Sequence, residues 1–463
     1  MSIKIALPKG RLLAKTAALL RNADLGLDEN LEKATSYRFE SRNHDNLLVK
    51  VFHEKDIPIQ VAVGNYDLGI CGLDWVEELL AKYTSSTLVK VKDLGYGEGV
   101  LFMAGSSAEI NDKPGIMRIA SEYPNLAESF AIRNRLRQYS VFPVWGAAEV
   151  FPPENAELAL ISVRSEADVD GYGMVPVKKI LEFGAVIIAN NNSWGSKDLF
   201  DVVTSICDKL PPTRKRYTAA TVVKAPKTIR QHSEILEGTV RLALPDGHQQ
   251  QPATQLLKKA GILIEDYPST TGNRRPNINI KGFTVKVMRP QDMPLQVAND
   301  NFDLAITGWD WLNEQIYQFP SLPVRKIIDL KFGGVKIVAV VSQELPVNDV
   351  NDLRQLAVEK SMKLRVASEY TNIADKYARD NQLGHYRIVP TWGATEGFLP
   401  DDADLLIENT QTGRTIAKHN LRIIDTLFES TACLIGYTDN VSGIKANMVK
   451  SFIDRLRTAL EDA

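Results

Sequence analysis

Short apolar runs alternate with helix-period stretches along this chain. IKIAL from Ile3, VKVF from Val49, YDLGI from Tyr66, GVLFMA from Gly99, MRIAS from Met117 and AELALIS from Ala156 read as strands. Between them, RLLAKTAALLRNA, VEELLAKY and LAESFAIRNRL repeat their apolar positions at helical spacing; Leu13, Thr16, Ala17 and Leu20 share one face. Alternation of this kind predicts an α/β fold with a largely parallel sheet. Ligands in such folds bind where the carboxyl ends of strands lead into helices.

The pattern occurs twice. DLGICGLDWVEELL from Asp67 returns as DLAITGWDWLNEQI from Asp303, an offset of 236. IASEYPN from Ile119 and PVWGAAEVF from Pro143 return from Val366 and Pro390, an offset of 247. The second copy therefore gained about ten residues between those blocks. A period this long means two whole globular units in tandem rather than a solenoid. The expected division is a first copy over 1–210, a polar, proline-bearing linker over 211–237 and a second copy over 238–463.

Composition narrows the function classes. A net charge of -2 offers no basic footprint for nucleic acid or an acidic membrane surface. No stretch approaches the ~20 apolar residues of a membrane span, and MSIKIALPKGRLL lacks the form of a signal peptide. The three scattered cysteines, Cys71, Cys207 and Cys433, argue against a disulfide framework and suit a reducing cytoplasm. The six histidines form no ligand-spaced cluster, so no protein metal site is assigned. No Walker loop, GxGxxG or GxSxG occurs.

The second copy carries the strongest chemical signal. After the strand-like ADLLIE comes NTQTGRT. Thr410, Thr412 and Thr415 supply hydroxyls, Gly413 admits a close backbone approach and Arg414 adds a cation. A strand, a Thr/Gly loop and a helix start make an anion cradle; a helix cap with surface threonines is the plain alternative. Glu408, at the strand end, is placed to accept from a ribose hydroxyl pair. The first copy reads SVRSEADVDG at this point, so Glu166 and Asp168 stand where Gly413 and Thr415 stand in the second. Added carboxylates repel phosphate. The start of each copy shows the reverse asymmetry: Lys9, Gly10 and Arg11 suit an oligophosphate, whereas Asp246 and His248 replace the two cations. Arg289, facing His53 in the alignment, suits bidentate binding of a diphosphate. Arg274 and Arg275 are a weaker basic pair. Kept in both copies are Asp67 and Asp303, Gly72 and Gly308, Glu149 and Glu396, and Trp145 and Trp392, the tryptophans more simply core than base platforms.

Together these residues resemble the catalytic unit of the ATP phosphoribosyltransferase family, the first enzyme of histidine biosynthesis. LPKGRL stands at Leu7–Leu12, DLGICG at Asp67, DLKFGG at Asp329, VASEYTN at Val366, GATE at Gly393 and ENTQTGRTI at Glu408. The resemblance covers almost all of both copies. It implies that N1 of ATP attacks C1 of 5-phosphoribosyl diphosphate, releasing diphosphate, with Mg²⁺ held mainly through substrate phosphates. It implies two copies of a two-lobed fold like type II periplasmic binding proteins, crossed twice by the chain. It assigns Lys9, Arg11 and Arg289 to catalysis, and Glu408, Thr410, Thr412, Gly413, Arg414 and Thr415 to phosphoribosyl diphosphate. Gly10, Asp303, Gly308 and Glu396 go to the nucleotide. The implied partners are the two substrates, with a homo-oligomer or regulatory subunit.

Neither copy holds the whole motif set. Either one site draws on both copies, or the chain is a non-catalytic regulatory or nucleotide-binding paralogue; a plain small-ligand-binding module is the third reading.

Overall fold

The computed structural model describes residues 2–27, 37–44, 46–83, 87–107, 115–210, 238–269, 272–437 and 444–461. The linker expected at 211–237 lies outside the described residues. The chain forms two units. The first takes in the chain up to Pro143, resumes at Ala156 and includes Thr391–Phe398. The second takes in Val144–Asn155, the second repeat up to Pro390 and the chain from Leu399. Each unit thus owns one short segment from the other's repeat.

Within the first unit, the strand Ile3–Pro8 pairs in parallel with Leu47–Phe52 and with Leu68–Gly72. These strands are buried on both faces, as in Leu68–Gly72, where every residue is buried. Such strands read as continuous apolar runs. The helix Leu13–Asn22 lays Ala17, Leu19 and Leu20 against this sheet, close to the face expected from its spacing. A second sheet is built on Met117–Ser121, parallel to both Tyr139–Pro143 and Leu158–Val163.

The sheets are less parallel than the alternation predicts. Ala185–Asn190 runs antiparallel between Leu68–Gly72 and Leu88–Asp93. Gly99–Gly105 runs antiparallel to Val175–Phe183 and Leu158–Val163. Both departures have one cause. The chain leaves the first sheet after Asp93, builds the second, and returns through Gly184, so the connecting strands must run against the core.

The second unit repeats this plan. Its first sheet runs Phe283–Met288, Val240–Pro245, Leu304–Gly308, Ala432–Tyr437, Val324–Asp329 in spatial order. Its second sheet is ordered Tyr386–Pro390, Leu364–Ser368, Leu405–Thr410, Val335–Ser342, Leu421–Ser430. The order of the first sheet, with an antiparallel return strand inside a parallel core, is that of a type II periplasmic-binding lobe. The ten-residue helix Val350–Glu359 lies in the stretch gained by the second copy.

The exchanged segments are buried. In the first unit Phe398 is fully buried and meets Phe52 edge-on at 5.2 Å. Gly397 sits so close that an added Cβ would lie 3.2 Å from Tyr37 Cβ. In the second unit Val150 and Phe151 are buried. Lys286 Nζ donates there to Asn155 Oδ1 at 2.7 Å and Glu154 Oε2 at 2.9 Å. Arg275 donates to the same carboxylate and to the Val150 and Pro152 carbonyls. Burial, then Arg275, brings the Lys286 ammonium down to about 8.

Phe398 belongs to the second repeat by sequence and to the first unit by packing. Phe398→Ala is therefore expected to cost about 3 kcal/mol, felt in the first unit. Hydrogen exchange should quicken at Leu47–Phe52 and stay unchanged at Phe283–Met288. The reverse pattern would show that the segment has been placed in the wrong unit.

Candidate functional site

The loop singled out in the second repeat has the expected local form. The strand Leu405–Thr410 ends, three residues turn, and a helix begins at Arg414. Gly413 adopts φ +70°, the left-handed region that glycine enters without strain. Its N–H donates to Thr410 Oγ1 at 2.9 Å, which closes the turn. Thr412, Arg414 and Thr415 are exposed around it. The helix Arg414–Lys418 is five residues long, so its dipole adds little. What the loop offers an anion is hydroxyls, backbone N–H groups and one guanidinium.

The matching loop of the first repeat is already filled. Asp168 Oδ2 accepts from the N–H of Arg164 at 3.1 Å and of Ser165 at 2.9 Å. The donors that would face a phosphate are bound to the chain's own carboxylate. Glu166, in Gly413's place, has ordinary helical backbone angles. Ile161 and Ser162 stand where Glu408 and Asn409 stand in the second repeat.

At the start of the first repeat, Lys9 and Arg11 have different surroundings. Lys9 is exposed; its Nζ donates to the Tyr37 hydroxyl at 2.9 Å and lies 4.9 Å from that ring's centroid. Gly10 has φ +86° and open space where a Cβ would project. Arg11 is engaged instead: Nη2 pairs with Glu54 at 2.9 Å and Asp74 at 3.3 Å, and Nη1 donates to the Gly97 carbonyl. Two buried carboxyls share one guanidinium. Burial pushes the Glu54 carboxyl up to about 7, Arg11 opposing and Asp74 adding to the rise; burial also raises Asp74.

The second repeat exchanges these charges. Asp246, in Lys9's place, accepts from Arg274 at 3.0 Å and Arg289 at 3.3 Å. Arg289, expected as a diphosphate ligand, is thus paired with a carboxylate, although its side chain is 43% exposed. Gly146 makes room for it, since a Cβ there would lie 2.8 Å from Arg289 Nε. Arg274 also reaches Glu149 at 3.5 Å. His53, opposite Arg289 in the alignment, is held down to about 4 by burial, then by Lys55 and Lys9, and is neutral.

Of the residues assigned to the nucleotide, Asp303 is placed elsewhere. It precedes the strand Leu304–Gly308, at the end away from the loops. It accepts from the Arg241 N–H at 2.7 Å, from the Arg241 guanidinium and from Lys445. Asp67 does the same work in the first repeat, accepting from the Lys4 N–H, Ser193 and Lys197. Both copies keep it because it staples two strands. Gly308 serves the neighbouring carboxylate: a Cβ there would overlap Asp310 Oδ1. Glu396 is half-buried in the exchanged segment of the first unit.

Asp310, Ser430, Tyr370 and Trp311, none of them singled out from the sequence, form a buried cluster in the second repeat. Asp310 accepts from Ser430 Oγ at 2.8 Å and from the Tyr370 hydroxyl at 2.6 Å. Tyr370 stacks on Trp311 at 4.4 Å, and Trp311 meets Trp145 of the exchanged segment at 5.5 Å. The Trp145 N–H is held by Asp292. The signal available in the sequence was correlated change: Arg11, Glu54 and Phe183 become His248, Pro290 and Ser430 together.

Two-lobed α/β repeats of this topology define a periplasmic-binding-type scaffold. The family profile for ATP phosphoribosyltransferase matches residues 53–211 and 289–458. The chain belongs to the ATP phosphoribosyltransferase family, a family of transferases, and carries its unit twice. A relative of that name from Saccharolobus solfataricus is 30% identical over 226 residues, 48% of this chain and 72% of the relative. Another from Thermodesulfovibrio yellowstonii is 29% identical over 196 residues, 42% of this chain and 63% of the relative. Among solved structures, the ATP phosphoribosyl transferase (HisG:HisZ) complex from Thermotoga maritima aligns at 22% identity with a TM-score of 0.40. That alignment covers 49% of this chain and 100% of that one.

Two outcomes follow from the site. Gly413→Glu should abolish binding of 5-phosphoribosyl diphosphate in calorimetric titration, whereas Glu166→Gly should change nothing, because Asp168 still fills the first loop. The second concerns pH. Glu54 keeps its proton up to about 7 in the folded chain, whereas an unfolded glutamate loses it near about 4.3. The folded state binds the extra proton between these values, so this group's contribution makes stability fall as pH rises through that window and level off above it. Glu54→Gln should flatten the change in melting temperature between about pH 5 and 7.5.

Proposed function

We propose that the protein joins the phosphoribosyl group of 5-phosphoribosyl diphosphate to N1 of ATP, the first step of histidine biosynthesis. The N1 lone pair forms the bond to C1 while the C1–O bond breaks and diphosphate departs with its electron pair. The observation that carries this reading is the contrast between the loops. Gly413 turns the loop of the second repeat without a carboxylate, whereas Asp168 takes up the Arg164 and Ser165 N–H groups in the first. The chemistry asks for in-line placement and charge stabilisation on the leaving group rather than for a strong acid or base.

On this reading Thr410, Thr412, Gly413, Arg414 and Thr415 hold the 5-phosphate, and Glu408 accepts from the ribose hydroxyls. Lys9, Arg11 and Arg289 are the proposed cations for the diphosphate. Lys9 has the weakest internal competitor, a tyrosine hydroxyl. Gly10 and Glu396 are kept for the nucleotide. Asp303 and Gly308 leave that set for the structural reasons given above.

Mg²⁺ is the cofactor proposed from the resemblance. Among the described residues no three His, Cys, Asp or Glu side chains cluster to cage a metal. The loop instead supplies hydroxyls and one carboxylate, Glu408. That donor set fits a hard cation carried on substrate phosphates. When bound, it would neutralise charge on the diphosphate.

No helix among the described residues is long and apolar enough to cross a membrane. With free thiols at Cys71, Cys207 and Cys433, we propose a cytoplasmic location. We also propose assembly with a second copy or a regulatory subunit, the first of which sedimentation of the purified chain tests.

A second reading has one observation behind it. Arg11 and Arg289 both sit in ion pairs, which suits a protein that senses the sugar diphosphate without transferring it. The assay that separates the two mixes protein, ATP, 5-phosphoribosyl diphosphate and Mg²⁺ and follows near-UV absorbance. Product should accumulate, and Lys9→Ala should slow it by roughly 10²-fold. Tight binding of the sugar diphosphate without product would favour the sensing role.

A further inference from the structure

A chain of hydrogen bonds in the second repeat ends at the proposed loop. Ser430 Oγ donates to Asp310 Oδ1 at 2.8 Å and accepts from the Asp310 N–H at 2.9 Å. The Tyr370 hydroxyl donates to Asp310 Oδ2 at 2.6 Å. The same hydroxyl accepts from Asn409 Nδ2 at 3.1 Å. Asn409 then addresses Glu408 Oε1 twice, from Nδ2 at 3.1 Å and from its backbone N–H at 2.9 Å. Ser430, Asp310 and Tyr370 are buried. Stacking on Trp311 fixes the Tyr370 ring. Burial and the neighbouring Asp310 keep its phenol protonated, the form that can donate.

The first repeat is an internal control. It retains the brace itself, since the Tyr123 hydroxyl donates to Asp74 Oδ2 at 2.9 Å. The other members are gone: Ile161, Ser162 and Phe183 stand in the places of Glu408, Asn409 and Ser430. Arg11 takes up the Asp74 carboxylate instead. A device that merely held the lobes together would need only the aspartate and the tyrosine, which both repeats have. The added members occur in the repeat whose loop is open and are lost where Asp168 fills the loop.

We propose that Ser430, Asp310, Tyr370 and Asn409 form a positioning relay that orients the Glu408 carboxylate toward the hydroxyls of a ribosyl phosphate, making the loop selective for ribosyl over 2-deoxyribosyl ligands. This rests on reading the loop as a phosphoribosyl site. Asn409 engages one Glu408 carboxylate oxygen from both its side chain and its backbone N–H, which restricts where that carboxylate points. Bonds from a sugar hydroxyl to a fixed carboxylate are charge-assisted and stronger than neutral ones.

The test is calorimetric titration of the full chain with ribose 5-phosphate and with 2-deoxyribose 5-phosphate. The parent should bind the ribosyl ligand about tenfold or more tightly. Tyr370→Phe and Asn409→Ser should each weaken ribose 5-phosphate by about tenfold and leave the deoxy ligand unchanged, so the ratio approaches one. Tyr123→Phe, the matching change in the first repeat, should leave both affinities as they are, and thermal melts report whether each variant is folded. Variants that keep the parent's ratio, or weaken both ligands equally, would overturn the relay and leave the loop assignment standing. A parent protein that binds neither sugar phosphate would overturn the loop assignment, and the relay with it.

Discussion

A buried aspartate bonded to a tyrosine of the other lobe is the constraint on which each repeat depends. Asp74 heads the helix Leu73–Lys82 and meets Tyr123, which precedes the helix Pro124–Arg133. Asp310 and Tyr370 repeat the arrangement. One turn further on, Glu78 accepts from the N–H groups of Asn125 and Leu126, and Glu314 from those of Asn372 and Ile373. The first-lobe helix therefore supplies the carboxylates that satisfy the opening N–H groups of the second-lobe helix. Buried carboxylates without such partners would be costly. The two helices are consequently fixed in register, and with them the loops at the strand ends. Gly72 and Gly308 belong to the same constraint, because a side chain at either would occupy the space of the aspartate.

Elements whose residues are buried on both faces were the most legible. Met117–Ser121 coincides with the stretch read as a strand, and Ile3–Pro8 and Gly99–Gly105 exceed theirs by a residue at one end. Val175–Phe183 was not anticipated. It is a sheet edge with exposed lysines at Lys178 and Lys179, so its pattern lacks an apolar run. Sheet order was hidden for a different reason: it is set by where the chain crosses between lobes, which no local spacing records. The exchange of Val144–Asn155 and Thr391–Phe398 was equally silent. Both segments stood out as repeated motifs, yet a motif does not say which core it will enter.

The same division applies to the site. The loop around Gly413 was legible because its determinants are local: a left-handed glycine, a hydroxyl three residues back and a helix start. The ion pairs of Arg11 were not legible, because its partners lie 43 and 63 positions away. Asp303 was drawn into the nucleotide set because both copies keep it, and a strand staple is kept for as good a reason as a ligand.

Duplication also explains how the charges came to differ. In a single-copy chain every unit carries the same first-lobe charges. Here one unit presents Lys9 with a neutral His53, and the other sets Asp246 between Arg274 and Arg289. An incoming phosphate meets different opposition at each. At Lys9 it competes with a phenol hydroxyl. At Arg289 it must displace or share a carboxylate whose side chain is only 7% exposed. A hydrogen bond to a charged group contributes about 1.5–3 kcal/mol, and a displaced, buried Asp246 would face the approaching anion as a like charge. The first-lobe position with the lower barrier to an anion therefore lies in the repeat whose own loop is filled by Asp168. Each repeat thus fills one of its two loop positions with a carboxylate of its own, Asp168 in the first and Asp246 in the second.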